Sequence, residues 1–155
     1  MPRLMLVLLA LSASFLAACG DEKGGEKQET AKKLPCEKAD AAFVGALKSS
    51  LTIEGGGGLK RVRVVKVDPP PAGFGRGGIF AVAAQLTGPG VEGTTGIWVA
   101  NGSPGNELII GANSETREVS DFGGAANPDS PAADSATSVA ESEVGQRAVE
   151  CAEGG

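Results

Sequence analysis

The chain has 155 residues, with 14 basic and 19 acidic side chains, a net charge of −5 and no histidine. The absence of histidine excludes Ser/His/Asp and Cys/His nucleophilic sites and every metal site that uses an imidazole. The net negative charge argues against a nucleic acid as partner and against electrostatic adhesion to anionic lipid.

The first 18 residues have the pattern of a secretory signal peptide. Arg3 supplies a positive charge, and residues 4–16 form an uncharged apolar run that is followed by small residues. As a helix this run would extend about 20 Å, which is less than the roughly 30 Å core of a bilayer. The pattern therefore predicts a cleaved signal peptide over residues 1–18 rather than a membrane span.

The end of this segment, Leu16-Ala17-Ala18-Cys19, resembles the lipobox of bacterial lipoprotein precursors, in which small residues precede an obligatory cysteine. The resemblance implies diacylglyceryl transfer to the Cys19 thiol, cleavage before Cys19, and a lipid anchor on the extracytoplasmic face of the cell membrane. The whole chain is similar to small envelope lipoproteins of high-GC Gram-positive bacteria, a similarity that supplies no functional residues. An ordinary signal peptide followed by a chance cysteine is the alternative.

The rest of the chain divides into a tether and one folded region. Residues 19–35 consist of the cysteine expected to carry lipid and a stretch rich in Gly, Glu and Lys with almost no apolar content. Such a stretch cannot bury enough surface to offset its ordering entropy, so we expect a flexible tether. Residues 36–151 contain the later apolar segments and are interpreted as a single domain, with residues 152–155 as a tail.

Two cysteines remain once Cys19 carries lipid, and only one pairing between them exists. Cys36 and Cys151 stand at the two edges of the predicted domain. An oxidising compartment favours a disulfide between them over the alternative of two free thiols. An oxidised pair also leaves no thiolate to hold zinc, so we expect no metal and no cofactor.

Hydrophobic periodicity predicts an α+β fold with an N-terminal helix, a three- to four-stranded antiparallel meander, and two C-terminal helices on one sheet face. Two consecutive valines, Val64 and Val65, interrupt the alternation of the first strand and predict a bulge there. The predicted bounds are a helix over Glu37–Leu51, strands over Leu59–Val67, Ile79–Thr87, Thr94–Ala100 and, as a candidate fourth, Leu108–Ile110, a short helix ending at Asp121, and a last helix over residues 131–150.

Two features of the predicted strands are candidates for a binding surface. Trp98 either fills the core under a helix or lies exposed for stacking. The basic residues Lys60, Arg61, Arg63 and Lys66 follow one another along the first long strand. They are suited to bind an anionic polymer or headgroup, but charges that keep an edge strand from aggregating have the same pattern.

The remaining motifs carry little chemistry. Glu115, Glu118 and Asp121 recur at three-residue spacing on the short helix, as on a solvated helix face. A hydrolase or transferase acting on envelope material would need two of them to converge in a cleft. The glycine loops at 73–78 and 88–93 match G-x-G-x-x-G but lead into predicted strands, so they are interpreted as turns.

We identify no catalytic residue in the sequence. The prediction is a non-catalytic binding or interaction module, anchored to the membrane through its lipid, whose partner is an envelope protein or a small or lipidic ligand. An enzyme that uses the three carboxylates is the alternative.

Overall fold

The computed structural model describes residues 34–75, 77–101, 108–122 and 129–155. The predicted signal peptide and lipobox lie outside the described residues. The elements are, in chain order, β1 (Glu37–Lys38), α1 (Ala41–Ser49), β2 (Gly58–Val67), β3 (Ile79–Thr87), β4 (Thr95–Asn101), β5 (Leu108–Gly111), α2 (Ser114–Val119), α3 (Pro131–Glu141) and α4 (Glu143–Glu153).

The five strands form one antiparallel sheet in which neighbours in the chain are neighbours in the sheet. The predicted α+β class is therefore confirmed. No helix within the four described ranges is long and apolar enough to cross a bilayer.

Helices cover both faces of the sheet. On one face, which we call the α4 face, α3 and α4 pack through small side chains such as Ala136 and Ala148 over Val65 and Val99. On the other, the α1 face, Phe43 and Leu47 pack over strand residues that belong to the same buried cluster: Val62, Val82, Ala84, Leu86, Trp98, Ala100 and Ile109. The result is a three-layer arrangement of helix, sheet and helices.

The placement of the C-terminal helices corrects the predicted fold. Val119 and Phe122, at the end of α2, pack against the cluster on the α1 face. The short helix therefore lies opposite α3 and α4 rather than beside them. The predicted helix over 131–150 is in fact two helices, because Ser142 is extended (ψ 168°) and its hydroxyl caps α4 by accepting from the amide of Gly145 at 3.5 Å.

The N-terminal helix begins at Ala41 rather than Glu37. Asp40 is its N-cap, since the carboxylate accepts a hydrogen bond from the amide of Ala42 at 2.8 Å. Residues Glu37 and Lys38 instead form β1, paired with Val64 and Arg63 of β2. Sequence periodicity misses this fifth strand because two residues are too few to show a period.

The bulge in β2 also lies elsewhere than predicted. The register shifts between Lys60 and Arg63, and Arg61 has a φ of 51°. Val64 and Val65 need no bulge, because they point to opposite faces and helices cover both. Alternation breaks down as a guide where a strand is buried on its two sides.

The structure joins Cys36 to Cys151, with 5.9 Å between their Cα atoms, which is within the usual range for a disulfide. The bond connects the residue just before β1 to the C-terminal half of α4. Leu34, two residues earlier, packs against the cluster on the α4 face. The chain therefore crosses the edge of the sheet at β1 on its way to α1.

Candidate functional site

A groove of about 230 Å³ opens on the α1 face, between β1, the start of α1 and the central strands. We call it the β1–α1 groove. Its floor is apolar and spans three strands: Val64 and Val82 are partners across β2 and β3, and Phe80 and Ala100 are partners across β3 and β4. Phe43 of α1 closes one side.

The position of Trp98 explains why space remains above Ala100. The indole leans over Gly96, where an added Cβ would lie only 2.6 Å from its Cη2 atom. The ring therefore extends along β4 away from Ala100, which contributes no more than a methyl group. The larger apolar side chains at this end of the sheet are Phe80 and Val64, both of which are half-buried.

The other wall of the groove carries charge. Glu37, Lys38 and Asp40 line it and are all exposed to solvent. The carboxylate of Asp40 is occupied in part by the amide of Ala42. Because Glu37 pairs with Val64 and Lys38 with Arg63, the Glu37 side chain lies on the α1 face and the Lys38 side chain on the α4 face. An apolar floor beside exposed carboxylates suits a molecule with an apolar end and a polar end.

This charged wall is held in place mainly from its N-terminal side. β1 pairs with two residues of β2, and the disulfide of Cys36 to Cys151 lies immediately before it. The guanidinium Nε of Arg147 in α4 also donates to the carbonyl of Leu34, at 3.4 Å. The wall is thus attached to the last helix of the chain.

Trp98 does not contribute to a surface. Its side chain has no exposed area, and its indole Nε1 donates to the hydroxyl of Ser120 at 3.3 Å. Trp98 is therefore a core residue, and it is not exposed for stacking with a ligand.

The four basic residues of β2 do not form one patch. The register places Arg63 opposite Ala83 on the α4 face and Lys66 opposite Phe80 on the α1 face. Arg61 donates to the carbonyl of Glu153 at 2.8 Å, where a cation complements the C-terminal end of α4.

Lys60 lines a second cavity of about 400 Å³, which is polar and lies at the far end of the α4 face. Within the described ranges, β1 covers only two residues of β2, so these charges also flank a largely open sheet edge.

The carboxylates of α2 and its end are not brought together in a cleft. Glu115 accepts a hydrogen bond from Ser114 at 3.1 Å, and Glu118 and Asp121 are exposed. They line neither the β1–α1 groove nor the polar cavity. In the part of the chain that the structure describes, no cluster of three or more His, Cys, Asp or Glu side chains is placed to hold a metal ion.

Sequence reasoning missed the groove because the predicted helix begins at Glu37 and so includes the charged wall. One signal was present: Phe80 is a large apolar residue that alternates onto the same face as Val82 at the start of β3. Comparison with protein-family models, with curated proteins and with solved structures finds no match for this chain. The chemistry of the groove therefore rests on its own residues.

Proposed function

We propose that the protein is a lipoprotein of the cell envelope whose domain is a non-catalytic binding module. In this proposal the β1–α1 groove holds the apolar end of a small amphipathic envelope molecule. The observation that carries it is the apolar floor of Phe80, Val82 and Ala100 beside the exposed charges of Glu37 and Asp40. A binding site needs such a concave apolar surface with a few polar groups at its margin.

The size of the groove limits the ligand. At about 230 Å³ it is smaller than the sites that enclose drug-sized molecules, which have volumes of roughly 300–1,000 Å³. It fits a single ring or a short segment of an acyl chain, with the rest of the ligand outside. The carboxylate of Glu37, which shares the face of Val64, is available there to a positive group of the ligand.

The position of the groove along the chain also favours an envelope amphiphile. Its charged wall starts at Glu37, directly after Cys36, and the predicted lipid site at Cys19 lies only a short tether upstream. A flexible segment of that length has an end-to-end distance of about 20 Å. If Cys19 is lipidated, the groove is held near the membrane surface, where amphipathic molecules are concentrated.

The alternative of a carboxylate-based hydrolase or transferase has no comparable support. Glu115, Glu118 and Asp121 lie along α2 and its end, outside the groove. The carboxylates that do line the groove, Glu37 and Asp40, are exposed to solvent, and Asp40 is engaged by the amide of Ala42. The proposal therefore uses no catalytic residue.

The test is a titration with N-phenyl-1-naphthylamine, a neutral dye that fluoresces in apolar surroundings. The full chain carries Cys19→Ser, so that no acyl chain competes for the dye. Val64→Phe fills the floor of the groove and should weaken dye binding about tenfold, which corresponds to about 1.4 kcal/mol. Val91→Phe makes the same change at another half-buried valine, at the opposite end of the β3–β4 pair, and should leave binding unchanged.

Background binding by the apolar N-terminal segment is common to all three chains and cancels in the comparison. Equal effects of the two substitutions, or none from Val64→Phe, would show that the dye does not bind in the groove and would refute the proposal.

A further inference from the structure

The β1–α1 groove depends on a strand that is weakly attached by itself. β1 has two residues and pairs with Arg63 and Val64 alone. Strands this short are not stable without further support. The nearest support is covalent, because Cys36 precedes the strand and is bonded to Cys151 in α4.

We propose that this disulfide controls the groove, so that thiol–disulfide exchange at Cys36 releases β1 and removes that part of the charged wall. The inference rests on the proposed function only in so far as the groove binds a ligand. The dependence of β1 on the disulfide does not require that the groove binds anything.

Cys36 and Cys151 differ in solvent exposure, and this difference determines which of the two sulfur atoms an incoming thiolate attacks. Cys36 is exposed, whereas Cys151 is only 4% exposed. An incoming thiolate, such as one sulfur of a dithiol, therefore reaches the Sγ atom of Cys36 first. A new S–S bond forms there, the bond to Cys151 breaks, and Cys151 departs as a thiolate that takes a proton from water.

The second sulfur of the dithiol then attacks the mixed disulfide. Cys36 is released as a thiol, and the dithiol becomes an intramolecular disulfide. The protein has gained two electrons and two protons, and the dithiol has lost them. A dithiol reductant is thus the chemical class of partner that operates the control.

Release of β1 leaves the rest of the α1 face in place. Phe43 and Leu47 anchor α1 in the buried cluster. The residues that follow α1 are bonded to the end of α2, with the amide of Thr52 donating to the carbonyl of Val119 at 2.8 Å. The floor of the groove therefore stays formed while Glu37 and Lys38 leave.

The experiment compares the oxidised full chain carrying Cys19→Ser with the same chain after reduction by dithiothreitol. Hydrogen exchange followed by mass spectrometry should show at least about tenfold faster exchange in β1 of the reduced chain, because the amide of this strand that bonds to β2 loses its protection. The emission of Trp98 should not change, and affinity for N-phenyl-1-naphthylamine should fall about tenfold, as a site with one wall removed loses contact area.

A second variant removes the reductant from the comparison. The double substitution Cys36→Ser and Cys151→Ser should reproduce the exchange pattern and the weak dye binding of the reduced chain. Unchanged exchange in β1 after reduction would overturn the inference, because the wall would then hold without the bond.

A shift of Trp98 emission on reduction would also overturn it, since the disulfide would then be needed to keep the whole domain folded rather than to hold one wall. Failure of the oxidised chain to bind the dye at all would refute the proposed function alone. In that case the exchange measurement still shows whether the disulfide holds β1 in place.

Discussion

The indole nitrogen of Trp98 and the hydroxyl of Ser120 form a buried hydrogen bond of 3.3 Å that joins β4 to the end of α2. Ser120 in turn donates to the carbonyl of Thr116 at 2.8 Å. Trp98 is the only tryptophan in the chain, so its fluorescence reports on this one part of the core.

Replacement of Trp98 by phenylalanine should lower the free energy of unfolding by about 1–3 kcal/mol. The smaller ring leaves a cavity over Gly96, and Ser120 loses a hydrogen-bond partner. Urea unfolding followed by circular dichroism measures the change. Ser120→Ala leaves the buried indole N–H without an acceptor and should cost about 1–3 kcal/mol. A Trp98→Phe variant as stable as the wild type would contradict this account of the core.

Asn113 makes several of the contacts that position α2 against β4. Its Oδ1 accepts from the amide of Ile97 at 3.1 Å and from the amide of Thr116 at 3.3 Å, and its Nδ2 donates to the carbonyl of Thr95 at 2.9 Å. It is thus both the N-cap of a helix and a bridge to the sheet.

Asn113→Ala should therefore cost about 2–3 kcal/mol, which is more than an isolated N-cap contributes. Urea unfolding monitored by Trp98 emission is the measurement. Asp40→Ala removes the cap of α1 and is the comparison, with an expected cost of about 1 kcal/mol. Equal costs at the two caps would show that the contacts of Asn113 with β4 add nothing.

Loss of the disulfide should reduce stability substantially without abolishing the fold. Cys36 and Cys151 are 115 residues apart, and the chain-entropy model assigns a loop of that length about 4–5 kcal/mol. The double serine variant should show this decrease in urea, and dithiothreitol should produce the same decrease in the wild type but none in the variant. A decrease of less than about 1 kcal/mol would mean that the unfolded chain gains little freedom when the bond is removed.

Lipidation at Cys19 is open to a direct test. We expect the mature chain, expressed in a bacterium that processes lipoproteins, to begin at Cys19, to carry the added mass of a diacylglyceryl group and to partition into detergent. Cys19→Ala should abolish the modification, whereas Cys36→Ala should retain it. Mass spectrometry of the N-terminal peptide decides the matter: an unmodified Cys19, or cleavage at another position, would refute the lipobox interpretation.

The strands β2 to β5 and the short helix α2 were predictable from the sequence, whereas β1 and the break between α3 and α4 were not. Strand β3 lies at Ile79–Thr87, as its composition indicates, because β-branched and apolar residues there fit a buried sheet. β1 has two residues and no period, so only the tertiary position of Cys36 brings it beside β2. Ser142 looks like one more helical residue in the sequence, but its extended backbone separates α3 from α4.

The candidate site was not predictable for a related reason. The groove depends on which way the ring of Trp98 leans and on how far α1 extends over the sheet, and neither is encoded in local sequence. The basic residues of β2 looked like one surface along the chain. The bulge at Arg61 turns that side chain towards the carbonyl of Glu153, so it caps a helix instead.

The crossing of the sheet edge between Leu34 and β1 has a mechanical consequence. A pull on the chain from its N-terminal side meets Leu34 first, whose carbonyl is bonded to Arg147 of α4. It then reaches Cys36, where a covalent bond passes the force to the same helix, and α4 packs on β2 and β3. The force is then carried by the middle of the sheet. Glu37 and Lys38 come after Cys36 in the chain, and so after the point at which the disulfide takes up the force. A domain held by its N-terminus to a moving membrane would therefore keep the wall of its groove free of tension.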